Sequence, residues 1–159
     1  MTTYAAGTSV SASSSREEIE RTLTRYGADQ FLYGWSEENA VVGFRMEGRQ
    51  IKFILTMPRR DEKRFTHHSR GARSPEAAAK EYDQAVRQRW RALALVIKAK
   101  LEAVQSGISV FEDEFMANIV LPGGETVGQF MRPQIAEAYR IGTAPSLLPM
   151  LPAPKGEGS

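Results

Sequence analysis

The sequence contains no cysteine. That absence excludes structural disulfides, thiolate catalysis and every cysteine-ligated zinc site. Histidine is nearly missing too, with only the adjacent pair His67-His68. No apolar run approaches the roughly 18 residues of a membrane span, and the opening "MTTYAAGTSVSASSS" lacks the basic start and apolar core of a signal peptide. A cytoplasmic location is therefore expected. Catalytic motifs are absent as well: there is no G-x-S-x-G elbow and no H-E-x-x-H, and "PGGETVG" lacks the Lys-Ser/Thr that completes a phosphate-cradling loop. No cofactor is implied, and a non-enzymatic role is expected.

What is present is an ordinary globular composition. The 159 residues are 42% hydrophobic and 25% charged, enough for one domain with its own core. The net charge of +2 conceals a segregation. Between Arg45 and Lys100 there are fifteen basic and six acidic residues, whereas Glu102 to Glu125 holds five acids and no lysine or arginine.

The sequence divides the chain into a flexible N-terminal tail at 1–14, a single α+β domain at 15–142 and a Pro-rich extended tail at 143–159. The tails are set by Ser/Thr/Ala content at one end and by Pro145, Pro149, Pro152 and Pro154 at the other. Within the domain, "SSREEIERTLTRYG" predicts a helix capped by Ser15 with Glu18 and stopped by Gly27. "QFLYGW", "AVVGFRM" and "RQIKFILTMP" alternate with period two and predict a three-stranded antiparallel meander. From Ser74-Pro75 to Gly107 the signals predict one long amphipathic helix, with an apolar stripe through Tyr82, Val86, Trp90, Leu93, Ile97 and Leu101. A short acidic helix containing Phe111 and Phe115, a small hairpin around Pro122-Gly123-Gly124 and a C-terminal helix from Thr126 to Gly142 complete the expectation.

The candidate chemistry is weighed residue by residue. His67 and His68, with Asp61 and Glu62 nearby, suggest a metal or acid–base site, but adjacent loop histidines seldom converge on one ion. Glu112-Asp113-Glu114 is read as a solvated helix end, and no metal ligand set is assigned. The basic region is the strongest signal. Arg59, Arg60, Lys63, Arg64, Arg70 and Arg73 in the loop before the long helix, with Lys80, Arg87 and Arg91 on the helix, are the expected phosphate contacts of a nucleic-acid-binding protein. Phe31, Tyr33 and Trp35 share one face of the first strand and are candidate base-stacking residues.

The order helix, three strands, helix, with "RGARSPEAAAKEY" entering the last, resembles the double-stranded-RNA-binding fold. At the position of that family's lysine-rich run only Lys80 matches. The strand-strand-strand-helix unit is also similar to the core of the single-strand annealing proteins of phages. The phrases "IERTLTRYGADQFLYGW", "RQRWRALALVIKAKLEAV" and "IVLPGGETVGQFM" resemble small uncharacterised phage and prophage proteins, which implies an accessory role in DNA metabolism or against host defence. The expected partner is DNA or RNA. The alternative is a protein-interaction or homo-oligomeric module, in which the acidic 102–125 segment of one copy faces the basic region of another.

Overall fold

The computed structural model describes residues 3–144, and side chains from Ala12 onward. The Pro-rich 145–159 segment, with its leucines, lies outside the described residues.

Helix α1 (Thr3–Arg25) leads into β1 (Gln30–Trp35), β2 (Asn39–Met46) and β3 (Arg49–Thr56), which form an antiparallel sheet in the order β1-β2-β3. A compact lobe follows, built from α2 (Lys63–Thr66), β4 (His67–His68) and β5 (Gly71–Ala72). Then come the long α3 (Pro75–Gln105), the short α4 (Phe111–Glu114), a 3-10 turn at Met116–Asn118 and α5 (Val127–Ile141). The fold is α+β in the expected element order.

One expectation is corrected at the start of the chain. The segment read as a tail is helical from Thr3, so Ser15 lies inside α1 and is buried instead of capping it. The reason is packing. Ala12 and Ser15 are small and buried, which lets α1 run close beside α3. The two helices are parallel, as Arg16 over Trp90, Glu18 with Arg91 and Tyr26 with Glu102 show in succession.

Strand alternation is as the sequence predicts. Cross-strand rows Phe31/Phe44/Ile51, Tyr33/Val42/Phe53 and Trp35/Ala40/Leu55 share the face turned toward the helices. On the other face stand Leu32, Gly43 and Lys52, then Gly34, Val41 and Ile54. The β2–β3 connection is the two-residue turn Glu47-Gly48 with both φ positive (51° and 74°), the backbone that matches strand twist.

The core lies between the inner sheet face, Ile19 and Leu23 of α1, and Trp90, Leu93, Ile97 and Leu101 of α3. Phe115, fully buried, closes its far end against Phe44, Phe53 and Phe111 at centroid distances of 5.8, 6.3 and 5.0 Å. Helix α3 starts as expected, with Ser74 Oγ accepting the Ala77 N–H and Pro75 in the first turn. The expected hairpin is a tight turn of isolated bridges: Val120 pairs with Thr126, and its N–H donates to Gln50 O on the edge of β3. Lys52 Nζ donates to Gly124 O and holds the turn in place. Thr126 and Gln129 form a reciprocal capping box for α5, which ends at Gly142 in the left-handed conformation. Pro133 sits inside α5, and the helix continues through it. No described helix is long and apolar enough to cross a membrane.

A candidate nucleic-acid interface

The arginine-rich stretch expected as a loop is instead a folded lobe of α2 and the β4–β5 hairpin. Phe65 of α2 is buried, and its ring meets Tyr82 of α3 edge-on at 5.7 Å. Arg60 lies on the same tyrosine, its guanidinium carbon 4.2 Å from the ring centre. Glu62 organises the turn before α2: one carboxylate oxygen accepts the Arg59 N–H (2.8 Å) and the other accepts from Arg64 Nε (2.6 Å). The hydrogen bond from the Arg59 backbone, then that from the Arg64 guanidinium, lowers the Glu62 pKa against the opposing effects of burial and of Asp61.

The histidines are absorbed into this local structure. His67 and His68 pair with Ala72 and Gly71 in the β4–β5 hairpin. Thr66 Oγ1 is 2.7 Å from His67 Nδ1, and the Arg70 N–H donates to His68 Nδ1. Among the described residues no cluster of His, Asp and Glu is arranged to hold a metal ion. The acidic run at 112–114 is occupied in part: Glu112 approaches Arg49 (3.6 Å) and Glu114 approaches Lys100 (3.4 Å).

Beside Arg60, which lies on Tyr82, the other eight expected phosphate contacts divide by what their side chains already do. Arg73 is structural, donating through one nitrogen to Arg64 O (2.6 Å) and Phe65 O (3.1 Å), the carbonyls at the end of α2. Arg59, Arg64 and Arg91 form exposed ion pairs with Asp61, Glu62 and Glu18, and Arg87 donates to Gln84. Pairs this exposed are worth about 0–1 kcal/mol each, so a phosphate can displace them. Lys63, Arg70 and Lys80 are exposed and have no ion-pair partner among the described residues. The expected basic face of α3 is split. Arg91 turns toward α1, whereas Arg89, which the sequence reading passed over, shares a groove with Arg64 on the side of Leu55 and Leu93. Residues two apart on a helix do not share a face, which is the signal for separating Arg87, Arg89 and Arg91.

The expected aromatic platform is corrected. Phe31 and Tyr33 face inward and pack against the core, with Tyr33 5.6 Å from Trp90 and covered by the Arg16 guanidinium at 4.6 Å. Trp35 alone of the three is largely free, 75% exposed at the end of β1. It borders a cleft of about 490 Å³ between the strand ends, α1 and α3, whose wall includes Arg16, Tyr33, Arg60, Tyr82, Asp83 and Trp90. A second cavity of about 680 Å³ shares Glu37, Met57, Arg60 and Tyr82 with it and extends to Arg59 and Asp61. The structure thus joins Trp35, which sequence spacing placed with Phe31 and Tyr33, to the arginine lobe. No family model matches the chain, and neither a curated protein nor a solved structure is significantly similar to it.

Proposed function

We propose that this chain is a small non-enzymatic nucleic-acid-binding protein that grips phosphates with the lobe between Arg59 and Arg73 and with adjoining basic residues of α3. The reading rests chiefly on one observation: the exposed Trp35 and the arginine lobe border continuous cavities, so an aromatic surface and a cationic surface adjoin. That combination suits single-stranded nucleic acid, whose bases stack on aromatic rings while its backbone follows positive charge. Among the described residues Lys63, Arg70 and Lys80 supply donors without a competing carboxylate, and Arg59 and Arg64 exchange weak surface pairs for phosphate. In this reading it works in the cytoplasm as a phage-type accessory factor.

The test is fluorescence anisotropy with labelled single- and double-stranded oligonucleotides between about 50 and 200 mM salt, a range over which several phosphate contacts weaken binding by orders of magnitude. Salt-sensitive binding whose slope flattens when Arg59, Arg60, Lys63 and Arg64 are all replaced by Ala supports the proposal. No binding at the lowest salt overturns it.

A second reading, self-association, is favoured by α5. It has no buried residue, and Ile135, Tyr139 and Ile141 are 45%, 87% and 51% exposed. Light scattering at low and high salt tests it, and a strict monomer at both removes it.

A further inference from the structure

Asp83 is a buried carboxylate, 8% exposed, at the N-terminal end of the apolar side of α3 between Tyr82 and Val86. Among the described residues it has no hydrogen-bond or ion-pair partner, although Arg16 and Arg60 line the same cleft. Both arginines are committed to aromatic rings instead, Arg16 to Tyr33 and Trp90 and Arg60 to Tyr82. A buried polar group without a partner among the described residues is costly. Its retention beside a cavity of about 490 Å³, within the size range of small-molecule sites, points to a ligand that completes it.

The chemistry of the wall narrows that ligand. Carboxylate oxygens accept hydrogen bonds, so a ligand group that donates suits Asp83. A cation is disfavoured by Arg16 and Arg60 in the same lining, and among the described residues a metal lacks the necessary cluster of ligands. An anion at this position is repelled by Asp83 itself. What remains is a flat, neutral group with adjacent N–H donors, able to stack on Trp35 and joined to an anionic portion that reaches Arg60. Guanine in a nucleotide meets all four conditions. Its N1–H and N2–H₂ are parallel donors that a carboxylate accepts as a pair. Adenine and cytosine place a ring acceptor at the corresponding position, and thymine or uracil offers one N–H between two carbonyls.

We infer that the Asp83 cleft binds the Watson–Crick edge of a guanine base in a single strand, with the base against Trp35 and its phosphate toward Arg60. This rests on the nucleic-acid reading and adds base preference to it. In a duplex the same edge is occupied by the pairing partner, so only an unpaired base presents it.

The experiment compares oligothymidine tracts carrying one internal guanine, hypoxanthine, adenine or cytosine, by anisotropy at fixed salt, with wild type, Asp83→Asn and Trp35→Ala. The expected result is a preference for guanine over adenine of about tenfold, within the discrimination given by a good bidentate base contact. Hypoxanthine, which lacks the N2 donor, falls between. Asp83→Asn removes the ranking and leaves affinity for the plain tract unchanged, and Trp35→Ala weakens the guanine tract. Equal wild-type affinity for all four tracts, or guanine preference surviving in Asp83→Asn, overturns the inference while leaving phosphate binding intact. Failure of every tract to bind, the plain one included, overturns both. The hypoxanthine comparison needs no substitution, so it decides the matter even where Asp83→Asn folds poorly.

Discussion

The Arg60 guanidinium stacks on Tyr82 at 4.2 Å while Phe65 meets the same ring edge-on at 5.7 Å. One tyrosine on α3 therefore holds both the start of the basic lobe and its buried Phe65. An aromatic pair adds about 0.5–1.5 kcal/mol beyond area burial and an exposed cation–π contact about 0.5–1 kcal/mol. Tyr82→Ala is expected to lower the opening free energy of the lobe by about 1–2.5 kcal/mol on those magnitudes. Hydrogen exchange at 63–73 checks it: those amides exchange faster while β2 keeps its protection. Unchanged protection of the lobe rules out the anchoring role.

Arg73 is expected to behave oppositely to Lys63, Arg70 and Lys80, which have no ion-pair partner among the described residues. Arg73→Ala strips two carbonyls at the end of α2 of their donor and destabilises the lobe. Lys63→Ala, Arg70→Ala and Lys80→Ala leave the melting curve nearly unchanged, because surface changes of this kind stay within about 0.5 kcal/mol. Each of the three that contacts phosphate reduces the salt slope of single-strand binding by about 0.7. Melting curves together with salt titrations separate the two classes. An Arg73 variant with native stability and a reduced slope reverses the assignment.

Glu62 makes the lobe pH-sensitive. Its pKa is lowered from the ordinary 4.5, first by the Arg59 N–H and then by Arg64. A lowered carboxylate pKa contributes stability above its unfolded value, and the contribution is lost as pH falls through the folded value. At neutral pH, Glu62→Gln is expected to exchange faster than wild type across the lobe. Below the ordinary glutamate range the two converge. A gap that persists in acid shows that Glu62 acts by shape and not by charge.

The fold was legible where sequence signals were local. Alternation in "AVVGFRM" and "RQIKFILTMP" marks which residues of β2 and β3 face inward, and Ser74-Pro75 marks the start of α3 because cap chemistry acts within one turn. The start of α1 was not legible: Ser15 carries a good cap signature, but packing of small residues along α3 prolongs the helix past it. Strand spacing could group Phe31, Tyr33 and Trp35, yet their exposure depends on where α1 and α3 end above the sheet. The cleft assembles Arg16, Trp35, Arg60 and Asp83 from four separate segments. Its one local trace is an aspartate interrupting the apolar stripe of α3.

Phe115 is fully buried among Phe44, Phe53 and Phe111. Phe115→Ala leaves a cavity that these rings cannot readily fill, and a loss of about 3–5 kcal/mol is expected. Phe115→Leu keeps most of the volume and costs less. Urea denaturation gives both values. A Phe115→Ala loss near 1 kcal/mol, at the centre of the general mutational range, shows that this end of the core collapses around the gap.

Helix α5 is expected to melt apart from the body. None of its residues is buried, and Pro133 has no N–H to return to the Gln129 carbonyl. Its start depends on the Thr126–Gln129 capping box, in which Thr126 Oγ1 accepts the Gln129 N–H (3.1 Å) and Gln129 Oε1 accepts the Thr126 N–H (2.8 Å). Gly128 permits the first turn to approach the Ala117 carbonyl, where an added Cβ atom lies 3.0 Å from the oxygen. Thr126→Ala removes about 1 kcal/mol of cap energy from a segment with little tertiary packing. Far-UV circular dichroism is therefore expected to show lost helicity before the main transition, with the midpoint of that transition preserved. Gly128→Ala acts through the crowded carbonyl instead and loosens the same helix. If Thr126→Ala lowers the single main midpoint and leaves the pre-transition signal intact, α5 unfolds with the core and its apolar face contributes to global stability.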